Sequence, residues 1–73
     1  MAVIDMKRTG EKIRALRKAA GLSVRDLQER MSPISVQALY KWEAGDTVPS
    51  VDNFIILADV FGVTIDEIIV RKK

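Results

Sequence analysis

The stretch from Gly21 to Pro49, GLSVRDLQERMSPISVQALYKWEAGDTVP, constrains the fold more than any other part of the chain. Ser23 followed by Asp26 has the spacing of a capping box, in which each side chain satisfies a backbone N–H at a helix start. Leu27 and Met31, four apart, then fall on one face. Ser32-Pro33 stops this helix, because proline lacks a donor and bars the preceding residue from helical geometry. Ser35 is the N-cap of the next helix, with Ala38, Leu39 and Trp42 as its apolar stripe. Gly45, Asp46, Thr47 and Pro49 make the loop beyond. The stretch is thus two short helices joined by a tight turn. Neither is long enough to stand alone in water, so both must lean on the rest of the chain.

The remaining sequence supplies what they lean on. Gly10–Ala20 places Ile13, Leu16, Ala19 and Ala20 at helical spacing, with Thr9 as N-cap and Gly21 as the glycine past the end. Ser50 caps a helix over Val51–Phe61 that turns Phe54, Leu57, Ala58 and Phe61 inward, and Gly62 ends it. Thr64 with Glu67 is a second capping box, which starts a short helix over Ile65–Val70. The only alternating run, Ala2–Met6, reads as an extended arm. The expectation is an all-α, compact five-helix bundle with one shared core. Its helices lie near residues 10–20, 24–31, 36–43, 51–61 and 65–70, with no sheet within 9–70. Residues 1–8 form an N-terminal arm, 9–70 the domain and 71–73 a basic tail.

Composition narrows the chemistry. With 73 residues there is room for one domain. The absence of cysteine and histidine excludes disulfides, imidazole catalysis and ordinary zinc sites. It also fits a reducing, cytoplasmic setting. No run is long enough for a signal peptide or a membrane span. The expectation is a protein that is not an enzyme, with no cofactor, no metal, no small-molecule ligand and no membrane contact. Charge is unevenly spread: residues 1–21 hold six basic and two acidic side chains, and residues 44–70 hold five acids and no base. One basic end suits a polyanion, although a solvated surface has the same appearance.

Helix-turn-helix geometry in a small chain commonly delivers the second helix into a groove of duplex DNA. Gln37 and Lys41 share the face opposite Leu39 and Trp42. Taken alone, that face reads first as an ordinary solvated one. Glutamine can pair with adenine, lysine can donate to guanine, and valine can touch a thymine methyl.

The ordered motifs Gly10, Ile13-Arg14-Ala15-Leu16-Arg17, Gly21-Leu22-Ser23, Leu27, Trp42-Glu43-Ala44-Gly45, Pro49-Ser50 and Leu57-Ala58-Asp59-Val60-Phe61-Gly62-Val63 cover about residues 9–70. In this order and spacing the chain resembles the phage repressor/Cro-like, or Xre-type, helix-turn-helix family. The resemblance implies a lambda repressor-like DNA-binding domain that acts as a sequence-specific transcriptional regulator on double-stranded DNA. It implies base reading by Val36, Gln37 and Lys41, the first, second and sixth positions of the third helix. It also implies an ion pair between Arg17 and Glu43, for which an arginine fork and a carboxylate are well matched.

Two departures stand out. The family usually has glutamine after the serine of the second helix, where this chain has Val24. The MSPIS turn is about one residue longer than usual. Many relatives also carry a further C-terminal domain, whereas this sequence stops at Lys73.

Candidate DNA-backbone contacts are Ser23 and Ser35, which are helix caps first, together with Arg14, Arg25 and Thr47. Lys18 and Arg30 either join them or only solvate. Tyr40 has two open readings: a contact to the DNA backbone, or a filler for the space beside the longer turn. Asp46 should weaken phosphate binding locally. A homodimer is expected through Ile55, Ile56, Val60, Ile69 and Val70, because a one-sided helix cannot bury Phe54, Leu57, Ala58, Phe61 and both isoleucines. The competing arrangement has Ala2–Met6 fold back over these residues. The alternative function is a protein-binding module of the same fold, antitoxin-like or adaptor, favoured by the low net charge, Val24 and Asp46.

Overall fold

A computed structural model describes residues 3–73. It contains α1 (Met6–Ala19), α2 (Val24–Arg30), α3 (Val36–Ala44), α4 (Val51–Phe61) and α5 (Ile65–Ile68). The only bridge between extended segments among the described residues joins Ile4 to Arg71 in antiparallel fashion, outside residues 9–70. The fold is all-α. Ser23, Ser35, Ser50 and Thr64 each cap the helix that follows, and the boxes Ser23/Asp26 and Thr64/Glu67 are both complete.

Helix α1 starts a full turn before the expected Thr9. Its N-cap is Asp5, whose carboxylate accepts from the Arg8 N–H at 2.9 Å. Residues 6–8 are therefore helix rather than arm. Thr9 is instead almost fully buried, and its hydroxyl accepts from the Val70 N–H at 3.0 Å. The earlier start moves the buried stripe of α1 to Thr9, Gly10, Ile13 and Arg17, and leaves Ala19 and Ala20 exposed. At the other end, α5 stops at Ile68. Ile69 is extended and Val70 accepts from the Asp5 N–H at 2.8 Å, while the Lys72 N–H donates to Val3 at 2.8 Å. Val70, expected to be helical, thus belongs to a short backbone pairing with the chain's beginning, and Ile69, whose N–H still donates to the Ile65 carbonyl, is the extended C-cap of α5. Phe61, expected inward, is half-buried.

The core consists of Ile13, Leu27, Met31, Leu39, Trp42, Phe54, Leu57, Ala58 and Ile68. It draws on all five helices. The closest crossing is between α1 and α3, and Gly10 permits it. A Cβ at that position would run into the carbonyl oxygen of Trp42 and lie 2.7 Å from that of Glu43. Backbone oxygens cannot step aside as a side chain can, so only glycine fits.

Candidate nucleic-acid interface

Helix α3 is placed from three directions. At its start, the Ser35 hydroxyl accepts from the Ala38 N–H at 3.1 Å. Ahead of it, the Gln28 amide donates to the Ile34 carbonyl at 2.9 Å, which ties the turn to α2. Ile34 itself packs against the core. At its end, Gly45 takes a left-handed φ of 82°, and a Cβ there would lie 2.7 Å from the Lys7 Cα.

A fourth restraint is ionic. Arg17 donates from Nε to Glu43 Oε2 at 2.7 Å and from Nη2 to Oε1 at 3.1 Å. Its Nη1 donates to the Leu22 carbonyl at 2.9 Å. The two side chains are only 10 % and 7 % exposed. The Glu43 hydrogen bond, above all, raises the Arg17 pKa, and burial works against it. One guanidinium thereby ties the end of α1, the approach to α2 and the end of α3. The bidentate geometry is the strong form of such a pair. The Leu22 carbonyl is a partner that sequence reasoning missed, since no side-chain pattern signals a backbone acceptor. Gln28 was also missed. Its only sequence signal is a polar residue placed between the buried Leu27 and Met31.

With its inner side held, α3 turns Gln37, Tyr40, Lys41 and Ala44 to solvent, while Leu39 and Trp42 are buried and Val36 is half-buried. Gln37 and Lys41 thus share an accessible face, with Val36 at its edge. Tyr40 is 57 % exposed. The residue after Ser23, Val24, packs partly against the core and presents no polar group.

Around this face, Ser23, Arg25, Ser35, Arg14 and Thr47 are all exposed, as are Lys18, Arg30 and Asp46. The Ser23 hydroxyl is engaged with the Asp26 N–H at 3.0 Å, and the Ser23 N–H donates to Asp26 at 3.0 Å. The bond from the Ser23 N–H first, and the neighbouring Ser23 hydroxyl after it, hold the Asp26 carboxyl below its usual pKa. Thr47 and Asp46 sit in a loop whose N–H groups turn back to the Lys41 carbonyl.

Of the five residues expected at a dimer surface, two are exposed and three are half-buried. Ile55 and Ile56 are 45 % and 38 % exposed. Val60 and Ile69 pack partly against the chain's own core, and Val70 is half-buried. At about 100° per residue, Ile55 and Ile56 also lie on different sides of the helix crest, where Asp52 and Asp59 stand. The segment Val3–Asp5 pairs with residues 70–72 and leaves both isoleucines exposed; Ala2 lies outside the described residues.

Among the described residues, no group of three His, Cys, Asp or Glu side chains is placed to hold a metal, and no helix is long and apolar enough to cross a membrane.

Several solved structures share this architecture. The S. venezulae BldD DNA-binding domain is 30 % identical at a TM-score of 0.78, over 90 % of this chain and 97 % of that one. The restriction-modification controller protein C.AhdI from Aeromonas hydrophila is 28 % identical at 0.78, over 88 % and 96 %. The clp gene regulator ClgR from C. glutamicum, 21 % identical at 0.76 over 92 % and 86 %, shares the fold. No curated protein matches the sequence. Residues 13–68 match the helix-turn-helix family. With that match spanning most of the chain, and the two-helix unit held as described, the protein belongs to the Xre or lambda-repressor-like helix-turn-helix family.

Proposed function

We propose that this protein is a sequence-specific DNA-binding transcription regulator that lays α3 in the major groove as a homodimer. The observation that carries the reading is the accessible Gln37/Lys41 face on a helix whose inner side is fully restrained. A reading helix must present long polar side chains from a rigid base, since base edges are discriminated by hydrogen-bond geometry. Val36, Gln37 and Lys41 read bases. Arg14 and Arg25 meet phosphates, with Ser23, Ser35 and Thr47 as uncharged backbone contacts. The likeness to a BldD DNA-binding domain at 30 % identity supports DNA as the partner, and the chain then works in the cytoplasm beside it. Asp46 and the small net charge call for few phosphate contacts, so a single copy binds weakly and two half-sites are needed.

Selection from a random duplex library tests this reading. An inverted repeat with half-sites about one helical turn apart is the expected product. Recovery of no preferred sequence defeats sequence-specific reading. Retention that survives high salt argues against phosphate contacts, which weaken steeply as salt rises.

A further inference from the structure

Tyr40 is the one long exposed side chain of α3 without a role so far, and its position on the helix assigns it one. At about 100° per residue, Gln37 and Ala44 form the crest of the exposed face, with Lys41 about 50° to one side and Tyr40 about 50° to the other. Lys41 lies on the side of Ala38. Tyr40 lies on the side of Val36 and Glu43, and Glu43 is where α1 is fastened. Arg17 is committed to Glu43 and the Leu22 carbonyl, with a bond from each of Nε, Nη1 and Nη2, and its side chain is nearly closed to solvent. Helix α1 also carries the exposed cations Arg14 and Lys18, which line a shallow groove with Glu11 and Ala15. The two flanks of the reading helix therefore differ. One offers a lysine beside the Asp46 loop. The other offers a neutral O–H next to a basic helix.

We propose that the Tyr40 hydroxyl donates to a backbone phosphate of the DNA strand on the α1 side of α3, and so sets the depth at which Gln37 meets the bases. The inference rests on the DNA-binding reading above and adds a positioning residue to it. A flank contact fixes register and carries no sequence information of its own. A neutral donor displaces no counterion, so it adds affinity without adding to the salt slope. That combination separates Tyr40 both from the base-reading residues and from the arginines.

The test compares the parent chain with Tyr40→Phe on the best duplex from a random library, on single-base variants of it, and across a salt series. The expected result is an affinity loss of about tenfold on every sequence, since the donor is bonded to a charged oxygen. Base preference, salt slope and melting temperature stay unchanged. A scan of single methylphosphonate substitutions then finds one position that weakens the parent but not Tyr40→Phe. Unchanged affinity in the variant overturns the assignment, as does altered preference at one base pair or a fall in melting temperature. A parent that binds no duplex at low salt overturns the DNA reading itself and this proposal with it.

Discussion

The inner and outer sides of α3 are built on opposite terms. On the inner side, Leu39 and Trp42 are buried, Gly10 brings α1 against the helix backbone, and Arg17 locks Glu43 by two hydrogen bonds and a third to Leu22. Each contact there has one partner and one geometry. On the outer side, Gln37, Tyr40 and Lys41 stand in solvent. Substitution inside should therefore cost stability and leave any base preference intact in whatever stays folded. Substitution outside should do the reverse. A helix that reads bases needs this division, because its surface can then vary without moving the platform.

The severest challenge to the inner side is Arg17→Ala. It strands a carboxylate that is nearly closed to solvent, which costs roughly 3–5 kcal/mol where one partner of a buried pair is removed. A domain of this size has few kcal/mol to lose, so the variant should be largely unfolded at room temperature. Circular dichroism against temperature and denaturant checks it. A melting curve that overlays the parent's would mean that the pair is not what holds α1 to α3.

Gly10→Ala tests the same side without touching charge. The added methyl meets two backbone carbonyls, so the helices must separate, and overpacking of this kind costs about 1–3 kcal/mol. The midpoint of urea unfolding should fall with its slope unchanged. A neutral or stabilising result, as alanine often gives inside a helix, would show that the crossing is looser than described.

On the outer side, Gln37→Ala should leave unfolding alone and cost about 1–3 kcal/mol of binding on the best site, with preference relaxed at one base pair. Uniform weakening on all sequences would make Gln37 a backbone contact instead. Arg25→Ala should lower the salt slope by about one phosphate's share and keep the preference. The dimer is tested by sedimentation of Ile56→Glu against the parent, free and on DNA. Loss of assembly is the expected outcome. A parent that remains a monomer in both states would rule out self-pairing.

How far the sequence goes follows from how local each signal is. The caps at Ser23, Ser35, Ser50 and Thr64 were legible because an N-cap is satisfied within three residues of itself. Asp5 has the same chemistry, but Thr9 before Gly10 has the look of an N-cap when read alone. Gly10 is inside the helix for a reason outside it, the backbone of α3. The ends of α5 and of the arm went wrong together for the same cause. Ile69 and Val70 continue an apolar helical pattern, but the N–H and carbonyl of Val70 are claimed by Thr9 and Asp5, more than sixty residues earlier. In the candidate site, Gln37 and Lys41 could be placed on one face from spacing, and the chemistry of Arg17 with Glu43 matched the family's pattern. The Leu22 carbonyl could not be foreseen, whereas the place of Asp52 and Asp59 between Ile55 and Ile56 follows from helical spacing alone.

The smallest expected effect lies at the start of α2, where a stabilising contact sits on the exposed edge of the two-helix unit. Asp26 accepts from the Ser23 N–H, and this holds its folded pKa below the ordinary value of 3.8. A carboxyl depressed by folding adds stability that is fully present above its unfolded pKa and is lost as the pH falls through the folded one. Asp26→Asn cannot titrate, although its amide oxygen can still accept the same hydrogen bond. The parent should therefore be the more stable by a constant margin from neutrality down to about pH 5, with the gap closing between there and about pH 2. Paired thermal melts over that range read the difference directly. Other carboxylates shift both proteins alike and drop out of the comparison. Because the site is open to water, the margin should be small and should shrink with added salt. A gap that stays level down to pH 2 would mean that the capping box contributes through geometry alone. A gap that grows as the pH falls would reverse the sign of the linkage and break the assignment of Asp26 as an ionised cap.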